Sequence, residues 1–429
     1  MKTWLIVLVS LVATQVFAQT PKKCGDDILR KAIEGYYPEK QSRETQQALY
    51  KSTSDNEDVT IPVVFHIVLT QAQLNFIGGE SVLRRMIDSQ IAVINRDFNA
   101  ANRDTNKIPD AFKSLQGNPR ISFALARTTP EGAATDGYEI KTTTKQGFRI
   151  TGGTYGTGFG FSDAKYTTAG GLDAWDPSTY LNIWVINAQD DNAQSDILGM
   201  CIPPSFTNFR EFPAEEVGVV LSYKAWGNLV NFRGRTLTHE LGHFFELRHL
   251  WGDDDGKCPN TLGEDDGIAD TPPQSLETYG CPAFPKVDAC SKSSPGIMFM
   301  NFMDYTDDNC QHLFSIGQVS RMRAQLIPGA PSFSLTQHPE VLKLPSGEEN
   351  KYAIYPNPGD GQVNIRFDRT SSGVAYLLVN DILGQMIAKE TVDTQKGFYS
   401  FNLRHSGSGI YFLQMEWNGK LIVEKIVVR

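Results

Sequence analysis

His239, His243 and His249 place three of the chain's seven histidines in the run T-H-E-L-G-H-F-F-E-L-R-H-L-W-G-D, from Thr238 to Asp253. Helix residues four apart share a face about one turn apart. The imidazoles of His239 and His243 can therefore reach one metal ion. Glu240, beside the first of them, offers a carboxylate that can take a proton from a water the metal activates. His249 lies six residues beyond His243, and six steps of ~100° carry it off that face. It becomes a third ligand only if the helix stops after His243 and the chain doubles back. The spacing thus predicts a metal and a break in the helix. Three neutral imidazoles leave a fourth position open on tetrahedral zinc. The bland alternative is a chance H-E-x-x-H on a solvated helix face.

This run resembles the extended zinc signature of the metzincin metallopeptidases. Asn301-Phe302-Met303-Asp304-Tyr305 resembles their methionine-bearing turn. Thr306 to Cys310 and Phe314-Ser315-Ile316-Gly317-Gln318 narrow the likeness to the pappalysin family, and it covers about Ile61 to Ile327. The resemblance implies one catalytic zinc held by His239, His243 and His249. It makes Glu240 the general base, Met303 the floor under the metal, and Tyr305 the donor that stabilises the oxyanion. The expected reaction is hydrolysis of peptide bonds in proteins or peptides by an activated water, without a covalent intermediate. The competing function is a catalytically inactive binding or adhesion protein on a metzincin fold, which intact Glu240 and Tyr305 argue against. A zinc peptidase with a later glutamate as third ligand is a weaker alternative. The acids at that spacing, such as Glu264, sit in Gly-rich sequence.

Further expectations come with the resemblance. Cysteine counting leaves three pairings open for the clustered Cys258, Cys281, Cys290 and Cys310; the family pattern implies Cys258–Cys290 and Cys281–Cys310. Asp253, Asp254, Asp255, Glu264, Asp265, Asp266 and Asp270 crowd one stretch against the single Lys257. There the run Asp265 to Pro272 resembles the family's calcium loop, with Asp266, Asp270 and Thr271 as ligands or their supports. Asp307 and Asp308 fall where an acid favours Arg or Lys just after the cut bond. Cys24 is expected to occupy the open zinc position and hold a zymogen latent; its rival reading is a disulfide with Cys201. One residue departs from the pattern. Glu246 stands where the family usually has Gly at the turn, and a non-Gly residue in the left-handed region costs ~1–2 kcal/mol. Glu246 is a poor ligand itself, because three donors would then be strung along ~10.5 Å of helix.

The elements that must position these residues are legible as periodicities. Thr60 to Leu69 is β-branched and apolar and reads as a buried strand, in which His66 is a core histidine rather than a ligand. Ser81 to Phe98 has helical spacing. Ile121 to Arg127, Tyr180 to Asn187 and Gly218 to Tyr223 read as strands, Thr143 to Gly171 as loop, and Ser315 to Ile327 as a helix. The motif helix starts near Arg235. The expected fold is α+β: a twisted mixed sheet over two long helices, one carrying the active site, then a C-terminal subdomain.

The 429 residues are 40% apolar and 21% charged, ordinary for a globular protein. A net charge of -9 argues against nucleic acid as a partner. Met1-Lys2, apolar Leu5 to Ala13 and Val16-Phe17-Ala18 read as a signal peptide over 1–18. Polar 19–54 reads as a propeptide, 55–330 as the metallopeptidase domain and 331–348 as a linker. Residues 349–429 alternate as a small all-β sandwich, with a hairpin turn at Asn418-Gly419. Tyr355-Pro356-Asn357-Pro358, Asp381-Ile382-Leu383-Gly384-Gln385, Gly409-Ile410-Tyr411 and Lys425 to Arg429 resemble a type IX secretion sorting domain. That resemblance implies the type IX machinery as a partner, and secretion or display at the cell surface; no stretch approaches ~20 apolar residues, so no transmembrane segment is expected in the mature protein.

Overall fold

The computed structural model describes residues 24–26, 28–29, 57–191, 197–208, 212–227, 233–253, 256–258, 265–345, 352–367, 373–417 and 420–429. The expected signal peptide, most of the propeptide, Glu264 and the Asn418-Gly419 turn lie outside the described residues. The chain divides into two compact units, Met1–Pro345 and Ser346–Arg429.

In the first unit, the β-branched run becomes β1 (Val59–Leu69), buried from Ile61 onward. Full burial fits a parallel strand covered on both faces. Its first half pairs with β2 (Ile121–Leu125) and its second half with β3 (Tyr138–Thr142), both parallel. On its other side lies β4 (Leu181–Ile186). Then come β5 (Gly199–Ile202), antiparallel at the sheet edge, and β6 (Gly218–Ser222) between β4 and β5. β3 and β5 escape the sequence reading. β3 is only half-buried, and β5 has four residues, too few to show a period. His66 is the core histidine expected, held between Glu139 (2.7 Å) and Asn182 (2.8 Å).

Against this sheet pack α1 (Glu80–Asp97) and α2 (Arg235–Phe244). α1 buries Leu83, Ile87 and Ile94. The expectation of two long helices is met only by α1: α2 has 10 residues, cut short at the bend described below. α3 (Ile316–Ala324) starts at Ser315, whose hydroxyl accepts from Gln318 N while the Gln318 side chain returns to the Ser315 N–H, a capping box. The stretch expected as a linker is in its first part bound to this unit. The Val341 carbonyl accepts from Arg127 N (2.7 Å) and Thr128 N (3.1 Å), and Val341 packs with Val64, Ala126 and Tyr180.

The second unit is all-β and antiparallel. A three-stranded sheet orders β11 (Phe398–Asn402), β8 (Gln362–Phe367) and β7 (Tyr352–Tyr355). A four-stranded sheet orders β10 (Met386–Asp393), β9 (Val374–Asp381), β12 (Gly409–Trp417) and β13 (Lys420–Val428). Val363, Ile365 and Phe367 of one sheet meet Leu377, Leu413 and Trp417 of the other in one core. Asn357 explains part of the Y-P-N-P motif. Its amide donates to the Lys425 carbonyl (2.6 Å) and accepts from Val427 N (2.9 Å), closing one end of the β13 edge.

Candidate active site

The break that the histidine spacing demands occurs at Glu246. Helix α2 ends with Leu247 N donating to the Gly242 carbonyl (2.9 Å) and Glu246 N to the His243 carbonyl (2.9 Å). This is a Schellman motif, which needs its C′ residue in the left-handed region. Glu246 is that residue, at φ 70°. Its carboxylate accepts from the Ser205 hydroxyl. The reversed chain brings His249 back. Its Nε2 lies 3.2 Å from that of His239 and 3.1 Å from that of His243, and those two are 3.1 Å apart.

Each ring is pinned through its other nitrogen. Nδ1–H of His239 donates to the Phe302 carbonyl (2.7 Å), that of His243 to the Leu247 carbonyl (2.8 Å), and that of His249 to Asp253 Oδ1 (2.7 Å). A carbonyl or carboxylate only accepts, so all three protons sit on Nδ1 and three Nε2 lone pairs face one point. Lone pairs at that separation repel unless a cation lies between them. Tetrahedral Zn–N bonds of ~2.0–2.1 Å put nitrogens ~3.3 Å apart. The donor set fits zinc.

Glu240 is fully buried, and burial first, then the nearby Asp26 carboxylate, push its carboxyl well above the usual range. The edge strand passes directly over it: a Cβ on Gly199 would stand 2.5 Å from Glu240 Oε1. Across the site lies the described fragment of the expected propeptide. Cys24 pairs with Gly199 in a parallel bridge, and Gly25 N donates to the Gly199 carbonyl (2.9 Å). Cys24 Sγ is 3.6 Å from Glu240 Oε2, and it and one ring nitrogen from each of the three histidines all lie within 4.8 Å of one another. Neither Cys24 nor Cys201 forms a disulfide, so the rival Cys24–Cys201 pairing is not made.

Beneath the histidines runs the methionine turn. A Cβ on Gly242 would stand 2.3 Å from Met303 Sδ, so the glycine of H-E-L-G-H lets the turn approach the helix. The Tyr305 ring lies 5.0 Å from that of His249, 5.6 Å from His239 and 4.9 Å from Trp251, centroid to centroid. Asp304 is wholly buried, and burial pushes its carboxyl up to about 6. A pocket beside His239 and Glu240 is lined by Tyr305, Asp304, Asp308 and Gln311. The two acids expected to set specificity part here. Asp308 lines the pocket, and its Oδ2 accepts from Arg233 N (2.7 Å) and Arg235 N (3.1 Å), capping the start of α2. Asp307 is exposed and does not line it.

Arg235 anchors the same helix end. Its guanidinium reaches Asp97 (3.2 Å), Asp104 (2.6 Å) and the Asp308 carbonyl (2.7 Å), and lies over the Phe302 ring. Thr238 adds a hydroxyl bond to Asp97 (2.8 Å). Sequence reasoning missed this network, Asp304 and the role of Asp253. Only Asp253 left a signal, an acid four residues after a ligand histidine.

Both expected disulfides are present, Cys258–Cys290 and Cys281–Cys310. Of the expected calcium residues, Asp266 and Thr271 meet, and Asp270 bonds elsewhere. Asp266 accepts from the Thr271 hydroxyl (2.8 Å) and Ile268 N (2.8 Å). Asp270 turns away to the start of α3, accepting from the Ser315 hydroxyl (2.6 Å) and Gly317 N (2.8 Å). It is a helix cap rather than a partner of Asp266. Asp265, not singled out from the sequence, is buried beside Asp266. Burial raises both carboxyls, and Asp265 Oδ1 has no hydrogen-bond partner among the described residues.

Comparison with known proteins agrees with this geometry. Residues 168–327 match a peptidase family described as pregnancy-associated plasma protein-A. The chain is 38% identical to mature mirolysin of Tannerella forsythia bound to a cleaved peptide, covering 67% of this chain and 100% of that one (TM-score 0.58). The chain belongs to the pappalysin family of metallopeptidases. A Tannerella forsythia promirolysin mutant is 36% identical over 75% of this chain and 100% of its own (TM-score 0.62). An extracellular metalloprotease of Colletotrichum graminicola is 29% identical over 62% of this chain and 75% of its own length. For a similarly described Aspergillus oryzae protein, 36% identical, the match spans 30% of this chain and 41% of that protein. Residues 353–429 match a secretion system C-terminal sorting domain. With extracellular relatives, that match marks a secreted or cell-surface protein. No helix among the described residues is long and apolar enough to cross a membrane.

Proposed function

We propose that this chain is a secreted zinc endopeptidase made as a latent precursor. The observation that carries the reading is the convergence of three Nε2 lone pairs beside buried Glu240. His239, His243 and His249 would hold the zinc, which when bound supplies Lewis acidity toward a water and the scissile carbonyl. Glu240 accepts the proton and delivers it to the leaving amine. Tyr305 donates its hydroxyl to the developing oxyanion. The edge strand β5 offers backbone groups to an extended substrate, as it does to Gly25. Asp308, lining the pocket beside His239, favours a basic residue after the cut bond; Asp307 drops out of that role. A peptide library with no preference for Arg or Lys there would remove this part.

Cys24 keeps the precursor latent by lying where the substrate must enter. Cys24→Ala should give premature activity, and an equally latent variant would sink the idea. Calcium is proposed at the turn of Asp265, Asp266 and Thr271, where two buried carboxylates lie side by side and Asp265 Oδ1 has no hydrogen-bond partner among the described residues; the Arg321 guanidinium, on the Asp266 carbonyl (2.7 Å), offsets part of their charge. The type IX machinery is the proposed partner of residues 349–429, and their deletion should trap the protein before the outer membrane. The decisive test of the whole reading pairs a zinc assay with peptide cleavage by wild type and Glu240→Gln, both freed of residues 19–54 so that latency cannot hide activity. One zinc per chain in both and cleavage only by wild type is expected. Cleavage by neither marks an inactive binding protein, and equal cleavage by both removes Glu240 as the base.

A further inference from the structure

We infer that Asp304 is a positioning residue for the reaction, one whose buried carboxylate locks Tyr305 and the neighbouring wall of the cleft into one frame beside the histidines. The inference rests on the peptidase reading, and on Tyr305 acting in it. Asp304 stands between two segments far apart in sequence. Its Oδ1 accepts from the N–H of Tyr305 (2.7 Å) and of Thr278 (2.8 Å). Its Oδ2 accepts from the Gln274 side chain (3.0 Å), whose amide also donates to the Leu276 carbonyl (2.9 Å). Its own carbonyl accepts from the Gln311 side chain (2.6 Å). A carboxylate is the one short side chain that can accept three such bonds at once.

The bond to Tyr305 N has a geometric consequence. It ties the Asp304 side chain to the peptide plane leading into Tyr305, and so sets the direction in which the tyrosine leaves the backbone. The bonds to Gln274 and Thr278 hold the wall segment to the same point. That segment carries Tyr279, which is 43% exposed with its ring 6.0 Å from that of Tyr305. The Cys281–Cys310 bridge joins the two segments further along, at a site exposed on the Cys281 side. Asp304 bonds directly to the Tyr305 backbone. A displacement of ~1 Å in a reacting group can cost ~10²-fold in rate. Loosening Asp304 should therefore act through Tyr305, on the chemical step.

The test is a double-mutant cycle on the zinc-loaded, activated enzyme with a peptide substrate, reading kcat and KM separately. Asp304→Ala should lower kcat ~10- to 100-fold with KM changed less than ~3-fold and zinc content unchanged. Asp304→Asn, which keeps one acceptor oxygen, should lose less. Introduced into Tyr305→Phe, either change should lower kcat by no more than ~3-fold further. Equal losses in both backgrounds would overturn the inference, because they would mean Asp304 merely holds the fold. If Asp304→Ala does not fold, the Asp304→Asn cycle decides by the same criterion. Tyr305→Phe alone separates the two claims: wild-type kcat there would remove Tyr305 from the proposed mechanism, whatever Asp304 does.

Discussion

At His239, His243 and His249 every ring has one nitrogen tied down and the other aimed at its two neighbours. At Asp265, Asp266 and Asp270 the carboxylates serve different places: the loop's own backbone, the Thr271 hydroxyl and the start of α3. The contrast follows from the side chains. Imidazole has two separated nitrogens, so pinning one orients the other and leaves it available. A carboxylate on a short stem has its oxygens side by side, and the nearest backbone N–H takes them first. Histidine spacing therefore survives folding as a ligand set, whereas acid spacing is redistributed among turns and caps.

The sharpest way to break the comparison is to unpin one histidine. Asp253→Ala removes the acceptor of His249 Nδ1 and should weaken zinc binding ~10- to 100-fold, measured by competition with a chelating dye. Unchanged affinity would mean the pinning is incidental. Next in size is calcium removal. Chelating calcium while zinc is kept loaded should lower stability by up to ~2.7 kcal/mol where the free ion stands at ~100 times its Kd, seen as a fall in Tm. An unchanged Tm would leave Arg321 as the counter-charge of the Asp265–Asp266 pair and remove calcium from this turn.

How far the sequence carries is clear from the same two places. The metal helix, its break and the all-β tail could be read, because each is a local pattern whose period or spacing survives in the fold; the methionine turn was legible only through the family resemblance. The long strand β1 could be read as such a local pattern too. The Arg235–Asp97–Asp104 network and the Asp304 bonds could not, because their partners are far apart in sequence and no period links them. β5 was missed although it carries Gly199 over Glu240; four residues of edge strand carry no signal. The bound stretch around Val341 reads as linker because its composition is that of one, and only contact with Val64 and Tyr180 makes it part of the domain.

A smaller effect sharpens the reassignment of Asp270. As a cap on α3, its loss in Asp270→Ala should cost about 1 kcal/mol, measured by denaturant unfolding of the zinc- and calcium-loaded protein. The Tm response to calcium chelation should stay as in wild type. A lost response would return Asp270 to the calcium site.

The smallest expected effect lies at the bend that makes the histidine site possible. Glu246 holds φ 70°, in the left-handed region where a side chain costs ~1–2 kcal/mol relative to Gly. Replacing it by Gly relieves that strain. The same change removes the hydrogen bond from the Ser205 hydroxyl, worth ~0.5–1.5 kcal/mol, and adds freedom to the unfolded chain, worth ~0.4–1 kcal/mol against the fold. The terms oppose one another at similar size, so Glu246→Gly should change stability by less than ~1 kcal/mol and leave zinc affinity unaltered. Ser205→Ala separates the terms. It loses only the hydroxyl bond, so it should destabilise the wild type and have no effect in the Glu246→Gly background. If Glu246→Gly instead weakened zinc binding tenfold, the glutamate would be holding His249 in place through Ser205 and β5, and the bend would belong to the site as fully as the histidines do.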